Sequence, residues 1–114
     1  MRRILASLSV LVLVGACSSS SSTGTPQEAC NSAAQAVCNK AGSCNDLGGI
    51  SVSQCTTTIE NAANCAQTAC SGGKTYNSGA ASQCISDIDA LSCAQASNDF
   101  NNGTFPASCS TICQ

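Results

Sequence analysis

Between residues 26 and 92 the apolar positions recur at steps of three and four, the spacing of helices that bury one face. "TPQE" places Thr25 as an N-cap, Pro26 at the first helical position and Glu28 at the third, a capping box with proline where its missing N–H costs nothing. The helix it opens is expected to run to about Asn39, with Cys30, Ala33 or Ala34, Val37 and Cys38 on one stripe and Gly42 as its C-terminal cap. Ser51 and Gln54 repeat the box. They start a second helix in which Val52, Cys55, Ile59, Ala62, Ala63 and Ala66 recur. "SGGKTYNSG" breaks the pattern, and a third helix is expected from Asn77 or Ser78 to Ser92, with Ala81, Cys84, Ile85, Ile88 and Leu91 inward. "NDFNNGTFP" reads as turn chemistry, with Asn102-Gly103 as the tight turn. No segment alternates convincingly as a strand. The expected fold is therefore all-α, a small disulfide-rich bundle of about three helices with an irregular C-terminal segment.

Upstream, the pattern changes twice. Arg2 and Arg3 precede a mostly apolar stretch from Ile4 to Val14, the length of a secretory core and too short to span a bilayer. Residues 1–16 are expected to be a signal peptide. "SSSSSTGTP", residues 18–26, cannot bury apolar area and reads as a flexible tether reaching at most about 30 Å. The domains expected are thus the signal peptide, a segment 17–26 of cysteine plus Ser/Thr-rich tether, and a disulfide-stapled helical domain over 27–114.

Cysteines decide the class. The chain has 11 of them and no histidine or tryptophan. In an exported chain an even set reads as a disulfide framework, and setting Cys17 aside leaves Cys30, Cys38, Cys44, Cys55, Cys65, Cys70, Cys84, Cys93, Cys109 and Cys113. The large apolar residues of the domain are few: Val37, Leu47, Ile50, Val52, Ile59, Tyr76, Ile85, Ile88, Leu91, Phe100, Phe105 and Ile112. A core that thin needs cross-links against the entropy of folding. Helix geometry restricts them: Cys30 and Cys38 stand about 12 Å apart along one helix, whereas bridged Cα atoms lie within roughly 7 Å. The same reasoning separates Cys55 from Cys65 and Cys84 from Cys93, so each bridge must join different elements. Antiparallel packing gathers Cys38, Cys44, Cys55 and Cys93 at one end and Cys30, Cys65, Cys70 and Cys84 at the other.

Leu13-Val14-Gly15-Ala16-Cys17 resembles the lipobox of bacterial lipoproteins. That resemblance implies that Cys17 is acylated, becomes the first mature residue and anchors the protein. The same residues also suit an ordinary small-x-small cleavage site, and cysteine parity favours lipidation. Two or three acyl chains give a stable anchor where one gives only reversible binding. Ser18 stands where inner-membrane retention would use Asp, so the expected location is the cell envelope at the outer membrane. The spacing "ACNSAAQAVCNKAGSC", then Cys55, Cys65, "CISDIDALSC" and "FPASC", is similar to a group of small cysteine-rich helical lipoproteins and secreted proteins of myxobacteria and related soil bacteria. The similarity covers residues 29–109 and eight cysteines; "TTTIENAANCAQTACSGGK" departs from it by lacking bulkier residues. Cys70 and Cys113 fall outside the eight, and cysteines added as a pair usually bond to each other, which implies a Cys70–Cys113 bridge. The resemblance carries no activity.

Candidate chemistry is sparse. Without histidine, Ser-His-acid and Cys-His arrangements are out of reach, and no CxxC occurs. Cys109 with Cys113 and Cys65 with Cys70 have spacings a metal could use, yet disulfides are favoured outside the cytoplasm. Thiol exchange wants an exposed, low-pKa cysteine, usually at a helix N-terminus beside a cation, and no cysteine in this sequence shows that combination. Asp87 and Asp89 lie two apart on a helix, on different sides, and read as a solvated face rather than an acid/base pair. "NDFNNG" lacks the spacing and final acid of a calcium loop, and Asn102-Gly103-Thr104 is a sequon only in a host that uses it. Tyr76, beside Lys74, reads either as a contact residue in an exposed loop or as a filler between helices. Two lysines, Lys40 and Lys74, against six acids in the domain argue against nucleic acid or an anionic lipid surface as partner.

The expectation is a non-catalytic, cofactor-free envelope lipoprotein with a structural or binding role, held to the membrane by lipid on Cys17 and meeting an envelope or extracellular partner. The alternative is a freely secreted, small disulfide-rich carrier or effector binding a lipid-like ligand, which requires a sizeable apolar cavity.

Overall fold

The computed structural model describes residues 23–114. The signal peptide, Cys17 and most of the tether lie outside the described residues. Four α-helices make up most of what is described: α1 Pro26–Ser43, α2 Val52–Ala62, α3 Ser78–Asp89 and α4 Cys93–Asn102. Two 3₁₀ turns, Cys65–Gln67 and Ala107–Thr111, complete the order. The fold is all-α and disulfide-rich, and the only sheet-like pairing among the described residues is an isolated antiparallel bridge between Tyr76 and Cys113.

Helix starts follow the local chemistry. The Thr25 hydroxyl accepts from the Glu28 amide at 3.1 Å, and the Thr25 amide donates to the Glu28 carboxylate at 3.1 Å. Ser51 and Gln54 close the same reciprocal box on α2 at 3.0 and 2.9 Å. Asn77 caps α3 through its side-chain oxygen, which accepts from Ala80 at 3.0 Å.

Helix ends differ from the sequence expectation. α1 continues past Asn39 to Ser43, and Gly42 sits inside it rather than capping it. A Cβ on Gly42 would stand 3.0 Å from Val52 Cγ2 and 3.3 Å from Leu47 Cδ1, so this glycine is the place where the returning chain presses on α1. The reversal falls on Asn45, which takes the left-handed conformation at φ 58°. Likewise α2 stops at Ala62, and Ala66 lies in the following 3₁₀ turn after left-handed Asn64.

The largest correction is at the C-terminal end. α3 stops at Asp89, and Ser92, expected to end it, instead opens α4. Ser92 and Gln95 form a third capping box, at 3.1 and 3.0 Å. Asn102-Gly103 is the end of that helix: Gly103 adopts φ 70°, and the Thr104 amide reaches back to the Asp99 carbonyl at 2.8 Å. "NDFNNG" is thus the last helical turns of α4 and its cap, and the bundle has four helices where about three were expected.

Ala, Cys and Ile alone supply the buried apolar residues: Ala29, Ala34, Ala36, Ala81 and Ala96, Cys38, Cys65 and Cys84, with Ile85 and Ile88. Small side chains let helix axes approach closely, so α1 packs against both α2 and α3. Phe100 and Ile112 lean onto the cluster of Ala36, Cys84, Ile85 and Ile88 from outside. α2 buries no residue fully.

Five disulfides fasten this frame: Cys30–Cys65, Cys38–Cys55, Cys44–Cys93, Cys70–Cys113 and Cys84–Cys109, with Cα separations of 5.3, 5.8, 5.5, 5.4 and 4.7 Å. Every bridge joins different elements. Cys38, Cys44, Cys55 and Cys93 pair among themselves, whereas Cys84 and Cys70 take partners from the C-terminal segment rather than from the Cys30–Cys65 end, because the chain after α4 folds back along α3. Cys70 and Cys113, the two outside the eight-cysteine pattern, are bonded to each other.

Candidate functional site

Three places bring polar chemistry together. The first is where the chain enters the domain. Half-buried Tyr76, in the extended segment before α3, donates its hydroxyl to the Thr23 carbonyl, and the Thr23 hydroxyl lies 2.8 Å from that of Ser82 on α3. Burial, and secondarily the nearby Glu28 carboxylate, pushes the Tyr76 phenol above its ordinary range. Gln27 adds a bond from its side-chain amide to the Thr68 carbonyl at 2.8 Å. Of the two readings of Tyr76, the structure gives a filler with a polar use: it fastens Thr23 to the body. Residues 23–25, assigned to the tether by composition, are held in place.

Tyr76 in turn is supported by the C-terminal residues 112–114. Thr75 and Gln114 exchange backbone hydrogen bonds at 2.6 and 3.0 Å, the Asn77 amide donates to the Ile112 carbonyl at 2.8 Å, and Cys70–Cys113 closes the same seam. Lys74 lies exposed in the adjoining turn.

A second place is a cavity of about 440 Å³ along the N-terminal half of α2, lined by Ile50, Ser53, Gln54, Thr57 and Thr58. It carries no charge. Gln54 is spent on the capping box, and the Thr58 hydroxyl on the Gln54 carbonyl at 2.8 Å. Ile50, 45% exposed, is its single large apolar side chain. A smaller cavity of about 200 Å³ lies at the other end of α2, between Asn31, Glu60, Asn61, Asn64, Cys65 and Ala66.

Asp87 and Asp89 make the third, and they do different work. Asp87 accepts from the Ser108 hydroxyl at 2.6 Å and from the Gln83 amide at 2.8 Å. Those hydrogen bonds, Ser108 first, hold its carboxyl below the usual range against a small opposing effect of burial. Asp89 contributes its backbone carbonyl, which accepts from the Lys40 ammonium at 2.6 Å. The two aspartates are therefore separate structural contacts, one to the C-terminal segment and one to α1.

All ten cysteines of the domain are in disulfides, and among the described residues no three His, Cys, Asp or Glu side chains gather as a metal site. Among the described residues no helix is long and apolar enough to cross a membrane. Cys93, expected as a disulfide cysteine, also stands where the sequence showed no helix start. It is exposed at the first position of α4, and Lys40 binds the Asp89 carbonyl just before the loop that leads into it. The signal that could have found it is the S-x-x-Q spacing of Ser92 and Gln95, identical to that of Ser51 and Gln54. In comparisons with known proteins the chain matches no family model, no curated protein and no solved structure.

Proposed function

We propose that this protein is a lipid-anchored component of the bacterial cell envelope whose helical domain has a structural or binding role and no catalysis. One observation carries the reading: five bridges consume ten of the 11 cysteines, and the remaining one, Cys17, stands at the end of an apolar run and ahead of a serine run. A thiol left over in an exported chain calls for another chemistry, and lipidation supplies it. With Ser18 after it, the anchor is assigned to the outer membrane.

The domain geometry supports a direction for this anchor. The tether joins the body at Thr23, beside Tyr76 and the Cys70–Cys113 seam, and α1 then leads away for 18 residues, about 27 Å. The end at Thr23 faces the membrane, and the loop from Cys44 to Ser51 with the Ile50 cavity faces away from it. A lipid carrier would need an enclosed apolar chamber; a cavity with one large apolar side chain favours the anchored reading over the carrier.

The test is an intact mass and a peptide map of protein taken from the native membrane fraction, before and after reduction. Acylated Cys17 with ten oxidised cysteines is the expected result. Soluble protein in the medium, with Cys17 removed or unmodified, overturns the reading and favours the carrier.

A further inference from the structure

The five bridges are not equally protected. Three contain a cysteine that is nearly or fully out of contact with solvent: Cys38 at 0%, Cys65 at 2% and Cys84 at 3% exposure. Cys70 and Cys113 are both half-buried, in a seam that the paired bonds between Thr75 and Gln114 hold closed without the sulfurs. Cys44–Cys93 alone among the five has an exposed member, Cys93, and its other member is only half-buried. No backbone ladder runs beside it.

Its place in the fold gives it leverage. The bridge spans 49 residues, the longest separation of the five, and is the only disulfide on α4. That helix is otherwise held by one buried residue, Ala96, and by Phe100 leaning on the core cluster. Its two ends are fixed independently, by continuity with α3 and by Cys84–Cys109. Cutting Cys44–Cys93 loosens a helix anchored at both ends and leaves the remainder bonded.

We propose that Cys44–Cys93 is a thiol-exchange site, opened by a dithiol reductant while the other four bridges stay closed, and that its opening releases α4. In the exchange a thiolate of the reductant attacks Sγ of Cys44. A new S–S bond forms there, the old one breaks, and Cys93 leaves with the electron pair. Cys93 is the first residue of α4, at the positive end of the helix dipole, which favours it as the leaving group. The second thiolate of the reductant then attacks its own partner sulfur in the mixed disulfide, and Cys44 departs and takes up a proton, as Cys93 does. Two electrons have passed from the dithiol, now a disulfide, to the bridge. Release of α4 withdraws Phe100 from the cluster of Ala36, Cys84, Ile85 and Ile88 and exposes apolar surface there. The site is thereby a redox-controlled gate on an apolar surface.

Graded reduction of the oxidised full chain with dithiothreitol, quenched in acid, alkylated and mapped by peptide mass, tests this directly. Cys44 and Cys93 should be labelled together, about tenfold faster than the next pair, with the other eight domain cysteines still bonded. Dye binding by exposed apolar surface should rise in the same step. First opening at Cys70–Cys113, or loss of all bridges in one step, overturns the assignment. A Cys44→Ser/Cys93→Ser double variant that keeps four bridges but binds no more dye than the oxidised protein refutes the gate. Should that variant fail to fold, the order of labelling in the unmodified chain still decides.

Discussion

The hydroxyl of Tyr76 donates to the carbonyl of Thr23, a residue 53 positions earlier. That single bond fixes Thr23, the first of the described residues, to the folded body. Composition alone runs the Ser/Thr segment as far as Pro26, because serine, threonine and glycine give no reason to pack. In the folded chain two residues of that segment are bound: Thr23 to Tyr76 and Ser82, and Thr25 to Glu28.

Tyr76→Phe removes the donor and leaves the ring in place. The variant should lose about 1 kcal/mol, the net worth of one hydrogen bond. Amide exchange at Thr25, whose N–H is bonded to the Glu28 carboxylate, should quicken while the rest of the domain is unchanged. The alkaline limb of stability changes as well. A phenol whose folded pKa is raised contributes stability that is complete below its unfolded value near 10 and is lost as pH rises through the folded value. Urea unfolding from neutral to strongly alkaline pH should therefore show a shallower decline in the phenylalanine variant. Equal slopes would detach Tyr76 from that limb.

Asp87 predicts the opposite limb. Its carboxyl is held below the usual range by Ser108 and Gln83, so its contribution is present above the unfolded value near 4 and is lost as pH falls through the folded value. Ser108→Ala removes the first of those bonds. The variant should be less stable than the parent at neutral pH and should approach it as pH falls through the folded value of Asp87, below which the carboxylate is protonated in both. Thermal midpoints measured across that range check it; a constant difference between the two proteins would place the effect of Ser108 elsewhere.

What the sequence discloses about this fold is local and covalent. Thr25 with Glu28, Ser51 with Gln54, and Asn77 announce three helix starts because a cap needs only a few adjacent residues. Helix ends were read less well. Gly42 looked like a stop, yet the approach of Val52 and Leu47 that explains it comes from across the molecule. α4 was hidden by its polar sequence: "CAQASNDFNN" buries only Ala96, too little to show as a stripe. With α4 unseen, Cys93 could not be placed at a helix N-terminus, nor the exposed bridge recognised. Similarly Ser108 and Asp87, 21 positions apart, meet only because the chain after α4 returns along α3.

The two ends of α4 offer a check on that helix. Ser92→Ala removes the cap and should cost about 1 kcal/mol. Gly103→Ala places a Cβ at φ 70° with nothing within 4 Å, so it meets no neighbour and suffers only the left-handed backbone, again about 1 kcal/mol. The sites lie at opposite ends and share no partner, so the double variant should show the sum in chemical denaturation. If either substitution is silent, α4 ends elsewhere than at Ser92 and Gly103.

Removing bridges separates two accounts of their worth. Loop entropy alone assigns about 3 kcal/mol to Cys38–Cys55, 17 residues apart, and about 4 kcal/mol to Cys70–Cys113, 43 apart. Packing reverses the order. Cys38 is fully buried, and truncation to alanine leaves a gap where α1 meets α2, a helix with no buried residue of its own. Cys70 and Cys113 lie in a seam that three backbone hydrogen bonds continue to hold. The Cys38→Ala/Cys55→Ala protein should therefore have a lower urea midpoint than the Cys70→Ala/Cys113→Ala protein, despite its shorter loop. The reverse order would mean that these cross-links act chiefly on the unfolded chain, and that the small alanine-rich core carries more of the native stability than its volume implies.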